Sequence, residues 1–560
     1  MAYSQIILVG LSGTGKSTIG NELARILSWS CIDTDDEIEK VIGDNPSNII
    51  DKQGEEAFRK IEEDLILSLA PVNNQVISIG GGAFQSEKSR IHLSNLGLVF
   101  FLDAPIEILV DRLSSKFNEQ RRPLLGNDLS KWNDLLNKMD TIRRPNFIRS
   151  DFHISTFSLT PAEIAHTILQ YLNHSSSIDL KNDKRLIRFI SSDNKLLPSV
   201  RIGVDAKQFP IWVGSNFLNS IPNIMDQLSI VGKIFIITDT NLNTLYGKKI
   251  KDILTSKKYS VYIHAINPGE SEKNLDSVNQ LYSWLFENKI ERQDTILCLG
   301  GGVICDLGGF VASTALRGVK LISLPTSLLA MTDAAIGGKT GVNLPIGKNL
   351  IGSFKQPDGI IIDTDFLITL PRRELIEGFA EVIKHAIIFD SNLFVLLKDN
   401  KIIAQTITKG DERLINIITR SVLLKSLVVS ADPLEKDLRK LLNFGHTIGH
   451  ALETASSYTK LYHGEAVSIG MIAAARISHN LGFLTSDALN EIEELLVTYG
   501  LPISTDKMDV DLVMQLMLFD KKIINNKINF ILISAIGNAF IEQNVPAPQI
   551  QLAIEGVMRG

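Results

Sequence analysis

The sequence predicts an α/β protein in three parts: a parallel sheet behind a glycine-rich loop, a second α/β domain, and a mainly α-helical C-terminal domain. Three observations support this prediction. A short apolar run at 5–9 leads directly into a Gly-x4-Gly-Lys-Ser loop and then a helical pattern. Apolar runs alternate with helical patterns from residue 200, and a helical period dominates from Pro371 to the end.

The composition limits the class of protein. A chain of 560 residues is too long for one core, and 44% hydrophobic with 21% charged residues is typical of soluble globular proteins. A net charge of −6 disfavours nucleic acid as the main partner. Three cysteines without a Cys-x-x-Cys pair fit a reducing cytoplasm, and no apolar stretch reaches the roughly 18 residues of a membrane span. We expect a cytoplasmic protein with neither nucleic acid nor membrane as partner.

The loop at 10–18 is the first candidate site. Between a strand and a helix, the backbone N–H groups of such a loop cradle phosphates, its lysine reaches the outer phosphates, and its serine holds Mg²⁺. We therefore expect ATP with Mg²⁺ at this loop. The residues that we assign to it are Ser12, Gly13, Thr14, Gly15, Lys16, Ser17 and Thr18.

Charged residues downstream predict how a phosphate acceptor binds. Asp33 and Asp35 end a second predicted strand, where a carboxylate can orient Mg²⁺ or accept a hydroxyl proton. Arg59, on a predicted helix, can bind a carboxylate in bidentate fashion. The segment 120–125 is typical of a lid over a nucleotide, and the pair at 143–144 adds positive charge.

These motifs resemble those of shikimate kinase over residues 1–170. The resemblance rests on the loop, Asp33-Thr34-Asp35, Phe58-Arg59, Gly80-Gly81-Gly82, Arg122-Pro123-Leu124-Leu125 and Arg143. The resemblance implies phosphorylation of the shikimate 3-hydroxyl by ATP. It implies that Ser17 and Asp33 hold Mg²⁺, that Lys16 and Arg122 contact the transferring phosphoryl group, and that Asp35 acts as base or orienting group. The residues implied to bind shikimate are Arg59, Gly81, Gly82 and Arg143. Arg144-Pro145-Asn146-Phe147 departs from the family's usual small-Pro-x-Tyr, so either Arg143 or Arg144 could bind the carboxylate.

The stretch at 174–195 is polar, rich in serine and without a sustained period, which predicts a linker. We expect one domain at 1–173, a Rossmann-like α/β domain at 196–365 and a helical domain at 366–560. No internal repeat relates the two halves.

A glycine run predicts a dinucleotide site in the second domain. The apolar run at 294–299 leads into Gly300-Gly301-Gly302-Val303-Ile304-Cys305-Asp306. Glycines directly after a strand let a pyrophosphate approach the backbone at a helix N-terminus, and Asp306 could bind a ribose hydroxyl. The spacing is not Gly-x-Gly-x-x-Gly, so a tight structural turn is the alternative. Downstream, Lys339, Lys348 and Asn349 indicate an anion pocket, with a solvated surface as the alternative.

Histidines indicate a metal site in the third domain. Three of the ten histidines are His446, His450 and His463, and the first two lie one helical turn apart on one face. Imidazole with a carboxylate such as Glu381 suits zinc, whereas satisfied core histidines are the alternative. Thr447 excludes the His-Glu-x-x-His protease signature.

Residues 200–555 resemble 3-dehydroquinate synthase. The resemblance rests on Pro268-Gly269-Glu270, the Gly300–Asp306 run, Pro325-Thr326-Ser327, Gly338-Lys339-Thr340, Gly347-Lys348-Asn349, Glu381-Val382-Ile383-Lys384, Asn443-Phe444-Gly445-His446 and His463-Gly464-Glu465. It implies a zinc or cobalt ion held by Glu381, His446 and His463, with His450 as a proton-relay or substrate residue.

The same resemblance implies where NAD and the substrate bind. NAD would lie along Glu270, Lys273, Gly302, Val303, Ile304, Cys305, Asp306, Thr326, Ser327, Lys339, Lys348, Phe366, Leu367, Ile368 and Thr369. The sugar acid phosphate would lie along Asp333, Lys339, Asn349, Lys384, Lys425, Arg439 and Asn443, with Lys521 or Lys522. Of these residues, Asp333, Lys384 and Arg439 join His450 as catalytic candidates. Cys305 departs from the family's usual Gly and is expected to be tolerated.

The implied reaction is NAD- and metal-dependent cyclisation of 3-deoxy-D-arabino-heptulosonate 7-phosphate to 3-dehydroquinate with release of phosphate. Arg317 would reach the neighbouring subunit's site, so the resemblance also implies a homodimer. The alternative for the whole chain is another small-molecule kinase joined to a sibling sugar-phosphate cyclase or a glycerol-dehydrogenase-like enzyme. A regulatory scaffold with decayed sites is disfavoured, because no catalytic residue is clearly missing.

Overall fold

The computed structural model describes residues 5–104, 106–115, 125–126, 128–147, 150, 152–156, 160–174, 199–204, 207–400, 406–435, 438–456, 461–519, 523–524 and 527–558. Arg122, Lys521, Lys522 and residues 175–195 of the predicted linker lie outside these ranges. The chain divides into two compact units, Met1–Leu197 and Pro198–Gly560. The domain boundaries predicted from the sequence stay predictions.

The first unit is a five-stranded parallel sheet with strand order β2-β3-β1-β4-β5. Its strands are β1 (Gln5–Val9), β2 (Ser30–Asp33), β3 (Gln75–Ser78), β4 (Leu98–Asp103) and β5 (Phe152–Ser155). Its helices are α1 (Lys16–Leu27), α2 (Thr34–Ile42), α3 (Pro46–Gln53), α4 (Glu55–Ser68), α5 (Glu87–Leu96), α6 (Ile106–Ser114), α7 (Trp132–Phe147) and α8 (Pro161–His174).

The central strand β1 is apolar on both faces because helices cover both sides of the sheet. Ile6 and Leu8 pack with Leu23 of α1 and Ile168 of α8. Ile7 and Val9 belong to a second cluster on the opposite face. The chain leaves β1 between its neighbours β3 and β4, and the crevice outside such a strand end is where α/β sheets bind ligands. The glycine-rich loop therefore begins at the binding edge of the sheet.

The second unit contains a seven-stranded sheet with order β6-β7-β14-β11-β10-β8-β9, parallel except between β6 and β7. Its strands, with the separate hairpin β12–β13, are β6 (Val200–Val204), β7 (Lys207–Gly214), β8 (Lys233–Asp239), β9 (Ser260–Ile266), β10 (Thr295–Gly300), β11 (Lys320–Pro325), β12 (Lys339–Leu344), β13 (Gly347–Phe354) and β14 (Gly359–Asp363). Its helices are α9 (Ile221–Gln227), α10 (Lys248–Ser256), α11 (Leu275–Glu287) and α12 (Gly302–Thr314). The glycine run joins β10 to α12, next to β8, where the strand order reverses.

The remainder of the second unit is mainly helical. Its helices are α13 (Arg372–Phe389), α14 (Ser391–Asp399), α15 (Glu412–Ala431), α16 (His446–Ala455), α17 (His463–Asn480), α18 (Ser486–Thr498), α19 (Val510–Phe519) and α20 (Ala547–Gly556). Two short hairpins accompany them, formed by β15 (Ile523–Ile524), β16 (Lys527–Ile528), β17 (Phe530–Ala535) and β18 (Asn538–Glu542). The predicted fold class is confirmed, although the sequence prediction did not include these hairpins. Every helix in the described part of the chain is too short or too polar to cross a membrane.

A largely buried ion-pair cluster supports the first sheet. Arg144 on α7 donates two hydrogen bonds to the Asp103 carboxylate at the end of β4, at 2.7 and 2.8 Å, and one to Asp140 at 2.6 Å. Burial lowers the pKa of Arg144, but Asp103 and Asp140 raise it more, so the guanidinium stays charged. The arginine therefore neutralises two carboxylates that would be costly to bury alone.

We expect Arg144→Met to destabilise the first unit by roughly 3–5 kcal/mol at neutral pH, because removing one partner leaves buried charge uncompensated. The loss should shrink as the pH falls and the two carboxyl groups become protonated. Hydrogen exchange of the β1 and β4 amides in the full chain measures this local stability.

The matched control is Arg25→Met, which removes an exposed, solvent-screened ion pair with Glu22 and should have little effect on stability. Equal effects of the two substitutions would contradict a structural role for Arg144.

Candidate active sites

The glycine-rich loop of the first unit positions a lysine and a pair of oxygen ligands. Lys16 Nζ donates to the carbonyl oxygens of Gly10 and Leu11, each at 3.0 Å, so its side chain lies across the loop. Ser17 Oγ donates to Asp33 Oδ2 at 2.6 Å, and the other Asp33 oxygen accepts from the backbone N–H of Asp35 at 3.0 Å. A hydroxyl and a carboxylate that meet in this way supply the hard oxygen ligands that suit Mg²⁺.

A second carboxylate, Asp35, lies two residues after Asp33, in the first turn of α2. Burial raises the pKa of Asp35, the neighbouring Asp33 raises it further, and Lys16 opposes both. A carboxyl group whose pKa is shifted toward neutrality is suited to accept a proton from a substrate hydroxyl.

Two arginines meet across from these carboxylates. Arg59 donates to Glu62 at 2.6 Å and to Glu55 at 2.9 Å, and Arg143 donates to the Gly81 carbonyl at 3.1 Å. Burial and the nearby Arg59 lower the pKa of Arg143, whereas Glu55 and Glu62 oppose the shift. The Nη2 atom of Arg143 lies 4.0 Å from Glu55 Oε1, so an acidic ligand at these arginines would share them with Glu55 and Glu62.

The Arg59 guanidinium occupies the space beside Gly82 that a side chain at this position would need. A Cβ atom at this position would lie 2.1 Å from Arg59 Nη1. Gly81 contributes the carbonyl that Arg143 contacts. The glycine run therefore sets the position of both guanidinium groups.

The structure bears on the choice between Arg143 and Arg144, because Arg144 is occupied by the buried cluster with Asp103 and Asp140. Sequence reasoning did not single out Arg112, which donates to the Gly13 carbonyl at 3.3 Å and to the Thr156 carbonyl at 2.7 Å. No sequence spacing connects Arg112 with Thr156. Sequence reasoning also did not single out Glu62, although Glu62 lies three residues after Arg59 on the same helix, α4.

A cavity of about 1820 Å³ opens in the second unit. The predicted nucleotide residues that line it are Glu270, Lys273, Gly302, Val303, Ile304, Asp306, Thr326, Ser327, Lys339, Lys348, Phe366 and Thr369. Cys305, Leu367 and Ile368 are absent from its described lining. The Cys305 thiol is buried and points back to the Gly300 carbonyl at 3.8 Å, so the larger side chain lies behind the turn and leaves its open side clear.

The glycine turn fits a dinucleotide. A Cβ atom at Gly301 would meet Ser327 Oγ at 3.3 Å, and one at Gly302 would meet the Ala334 side chain at 3.5 Å. Side chains at these positions would therefore occupy the space between the turn and the segments that face it. A helix N-terminus that starts at such a turn favours a pyrophosphate.

Next to the turn, Lys273 Nζ lies 3.0 Å from Asp306 Oδ2 and 3.3 Å from Glu270 Oε1. Burial raises the pKa of Asp306 to about 6, although Lys273 opposes the shift. Asn343 Nδ2 donates to Glu270 at 2.7 Å, and the Asn343 side chain accepts from the backbone N–H of Asn349 at 2.9 Å. One hydrogen-bonded set therefore joins the β9–α11 connection to the β12–β13 hairpin.

The predicted metal residues meet on three helices. Glu381 Oε1 on α13 lies 3.5 Å from His446 Nε2 on α16 and 3.6 Å from His463 Nε2 on α17. Both Glu381 oxygens are buried without a hydrogen bond from the described residues, and the Lys384 ammonium forms an ion pair with this carboxylate. Burial would lower the pKa of His463, but Glu381 and Glu453 raise it to about 10. A carboxylate and two imidazoles around a buried, electronegative point fit a zinc or cobalt ion.

His450 and Glu453 lie on the cavity side of this set. The His450 ring centroid is 5.2 Å from that of His446 and 5.8 Å from that of His463. Glu453 Oε2 lies 3.4 Å from His463 Nδ1. The sequence analysis did not select Glu453, although it follows His450 by one turn of helix.

The predicted substrate cations are paired with acids in this structure. Lys425 forms an ion pair with Asp333, and Lys339 forms one with Glu435. Asn443 Nδ2 also donates to Glu435, at 3.1 Å. The cavity lining includes Asp333, Lys339, Asn349, Asn443 and His450.

Four other predicted residues do not line the cavity in the described part of the chain, namely Lys384, Lys425, Arg439 and Arg317. Arg439 is buried and donates to the Gly337 carbonyl at 3.2 Å and the Pro433 carbonyl at 2.9 Å. Lys384 and Lys425 are also buried, outside the described lining. Arg317 does not line the cavity of its own chain among the described residues.

Three family models match the chain. The shikimate kinase model matches residues 12–173. The model of the N-terminal part of 3-dehydroquinate synthase matches residues 263–377, and that of its C-terminal part matches 378–523. The first match contains residues 12–18 of the glycine-rich loop. The other two contain the glycine turn, most of the residues that line the cavity, and Glu381, His446 and His463.

Similar proteins agree with these matches. The 3-dehydroquinate synthase of Rippkaea orientalis is 42% identical over 344 residues, which are 61% of this chain and 94% of that protein. The 3-dehydroquinate synthase of Streptococcus mutans is 39% identical over 344 residues, 61% of this chain and 96% of that protein. The solved structure of 2-epi-5-epi-valiolone synthase from Streptomyces hygroscopicus subsp. jinggangensis, with NAD⁺ and Zn²⁺ bound, is 27% identical with a TM-score of 0.58, over 63% of this chain and 98% of that chain.

The key residues of each candidate site lie in the region of one family. Lys16 and Ser17 lie in the kinase match, and Asp306, Glu381, His446 and His463 lie in the synthase matches. The chain therefore belongs to the 3-dehydroquinate synthase family and carries a shikimate kinase region ahead of it.

Proposed function

We propose that this chain catalyses two reactions of one biosynthetic route: the phosphorylation of shikimate at its 3-hydroxyl by ATP, and the cyclisation of 3-deoxy-D-arabino-heptulosonate 7-phosphate to 3-dehydroquinate. The observation that carries the second activity is the convergence of Glu381, His446 and His463 beside a cavity that starts at a glycine turn. The observation that carries the first is the contact of Ser17 with Asp33 at the phosphate loop.

In the kinase region, different residues bind the phosphates of ATP, the Mg²⁺ ion and shikimate. Lys16 and the loop amides bind the outer phosphates of ATP, and Ser17 with Asp33 holds Mg²⁺. Asp35 accepts the hydroxyl proton of shikimate or orients that hydroxyl. Arg59 and Arg143 bind the shikimate carboxylate, because both guanidinium groups meet beside Gly81 and Gly82 while Arg144 is held by the ion-pair cluster.

In the synthase region, the glycine turn, Asp306, Lys273 and Glu270 bind NAD, and Glu381, His446 and His463 hold zinc or cobalt. NAD supplies reversible hydride transfer and the metal supplies Lewis acidity toward a hydroxyl. Lys339, Asn349 and Asn443 bind the phosphate and carboxylate of the substrate, and Lys348 lies along NAD. His450, at the cavity wall beside the metal residues, moves a proton between substrate and solvent.

Three buried cations, Lys384, Lys425 and Arg439, attract the negative groups of the substrate from behind the residues that line the cavity. Their burial makes each cation a stronger electrostatic partner than it would be in water. Lys425 and Asp333 form a pair at the edge of the cavity, and a substrate anion that approaches Lys425 shares this cation with Asp333. Lys384, Lys425 and Arg439 therefore orient the substrate through their charge, and they do not exchange protons with the solvent.

A homodimer through the synthase region is part of the proposal. Leu316 and Arg317 both adopt left-handed backbone angles, with φ of 52° and 66°, which non-glycine residues avoid unless the surroundings hold them. Arg317 at this turn does not line the cavity of its own chain. In a homodimer, Arg317 would contribute to the active site of the neighbouring subunit.

A second candidate for the larger region is a sibling sugar-phosphate cyclase, since the solved valiolone synthase has the same fold. Incubation of the purified chain with heptulosonate phosphate and NAD, with detection of 3-dehydroquinate and phosphate, separates the two. A cytoplasmic location follows from the three free cysteines and stays a prediction.

Arg143→Ala should raise the KM for shikimate roughly 10- to 100-fold, because a charge-assisted hydrogen bond contributes about 1.5–3 kcal/mol. The KM for ATP should remain unchanged, since the phosphate loop is intact. Steady-state kinetics with each substrate varied in turn gives both values.

Arg25→Ala, on the exposed face of α1, is the matched control and should change neither KM. If Arg143→Ala leaves the shikimate KM unchanged, another group binds the carboxylate.

Glu381→Gln should abolish stoichiometric zinc binding, because a neutral amide replaces the one carboxylate of the metal set and leaves Lys384 unpaired nearby. Metal analysis of the purified, zinc-saturated protein measures the metal-to-chain ratio directly. The control Glu491→Gln removes an exposed partner of Lys398 and should bind metal as the wild type does. A full zinc complement in Glu381→Gln would place the ion elsewhere.

The affinity for NAD should depend on pH through Asp306. The pKa of about 6 means that this carboxyl ionises as the pH rises through 6, so a charged acceptor for the ribose is present at pH 7.5 and mostly lost at pH 5. We expect the dissociation constant to rise about 10-fold from pH 7.5 to pH 5, as the ionised fraction falls. Titration of NAD by calorimetry at each pH tests this expectation.

In Asp306→Asn the dissociation constant should be nearly independent of pH over that range. Asp252→Asn on α10 serves as the control and should keep the wild-type profile. A flat wild-type profile would mean that the charge of Asp306 does not contribute to NAD binding.

A further inference from the structure

The imidazole of His463 lies between two carboxylates on opposite sides of the ring. Its Nε2 atom is 3.6 Å from Glu381 Oε1, and its Nδ1 atom is 3.4 Å from Glu453 Oε2. The first carboxylate belongs to the proposed metal set. The second belongs to Glu453 on α16 and lies outside that set.

The other imidazole of the metal set is held in the same way by a different group. His446 Nε2 faces Glu381 at 3.5 Å, and His446 Nδ1 lies 3.2 Å from the Phe444 carbonyl oxygen. Each ring thus presents Nε2 to Glu381 while an acceptor holds Nδ1. A ligating histidine needs such a partner, because the bond from the remaining N–H fixes the tautomer and the plane of the ring.

Glu453 is well placed to act in this way. It lies on α16, two helical turns after His446, and is 4% exposed, so its carboxylate cannot turn freely into solvent. Its second oxygen, Oε1, lies 3.6 Å from Lys348 Nζ on the β12–β13 hairpin. A single buried side chain therefore contacts both the histidine of the metal set and the hairpin lysine at the cavity wall.

We propose that Glu453 is a positioning residue that holds His463 with Nε2 toward Glu381 and anchors Lys348 at the cavity wall. The inference rests on the proposed metal centre at Glu381, His446 and His463. It adds the residue that orients one ligand and connects that ligand to the anion-binding hairpin.

A competing interpretation is a second metal position formed by His450, Glu453 and His463, whose ligand atoms also lie within 4.8 Å of one another. An ion there would bind Nδ1 of His463 while the first ion binds Nε2. The ring would then have to lose both of its N–H protons, which a neutral imidazole ligand does not. The geometry therefore favours one ion at Nε2 of His463, with Glu453 at Nδ1 on the opposite side of the ring. The metal-to-chain ratios of the wild type and of Glu453→Gln distinguish the two interpretations.

The experiment uses the full-length chain with its metal removed by chelation and cobalt(II) added back. The readouts are the cobalt affinity, from competition with a chromophoric chelator, the number of ions bound at saturation, and the visible absorption of bound cobalt. We expect one ion per chain in the wild type and in Glu453→Gln, with an affinity 10- to 100-fold lower in the variant. The absorption bands of bound cobalt should shift, because the ring of His463 is no longer held by a charged acceptor.

Three further variants keep the outcome interpretable. Lys348→Met should retain wild-type cobalt affinity, which separates positioning of His463 from anchoring of the hairpin. Glu493→Gln, which removes the partner of Arg476 on α17, should retain both affinity and spectrum. Thermal unfolding of the metal-free proteins should give similar midpoints for the wild type and Glu453→Gln, and if that variant does not fold, Glu453→Asp takes its place with the same readouts.

Each result has one meaning. Wild-type affinity and an unchanged spectrum in Glu453→Gln would overturn the positioning role while leaving the metal centre in place. Two ions per wild-type chain and one in Glu453→Gln would also overturn it, in favour of the second metal position, because an ion at Ser17 and Asp33 would stay bound in that variant. A wild-type chain that binds no cobalt, like Glu381→Gln, would instead reject the proposed metal centre itself.

Discussion

The second unit depends on the burial of one carboxylate, Glu381. Moving an ionised carboxylate out of water costs several kcal/mol unless nearby cations and donors compensate. In this chain the compensation comes from Lys384 on the same helix and from two imidazoles on α16 and α17. The three helices must therefore meet at this point, and two of them, α16 and α17, contribute His450 and His463 to the lining of the cavity.

The same electrostatic requirement explains how a chain with a net charge of −6 binds anions. Its candidate cations are not spread over the surface but are paired, as in Lys425 with Asp333 and Lys339 with Glu435. A phosphate or carboxylate that binds must compete with these side-chain acids or share their cations. Such pairs favour ligands with more than one negative group, because a single charge gains little by replacing an existing partner.

In the kinase region, two neighbouring arginines have different partners. Arg144 compensates Asp103 and Asp140, whereas Arg143 lies beside Arg59 at the glycine run. Adjacent positions on a helix point in different directions, so the two side chains reach different surroundings. The sequence Arg-Arg-Pro does not distinguish these surroundings.

The sequence alone determined the fold class, the phosphate loop and the candidate metal ligands, because these features depend on local spacing. The run that ends in Lys16 and Ser17, the strand ending in Asp33 and the histidines one turn apart each specify a geometry within a few residues. The sequence did not determine which arginine belongs to the buried ion-pair cluster, that Cys305 points behind its turn, or that Glu453 lies against His463. Those contacts join residues that are adjacent in space but are separated in sequence, or depend on which side of a helix is buried, and only the packing of the helices decides them.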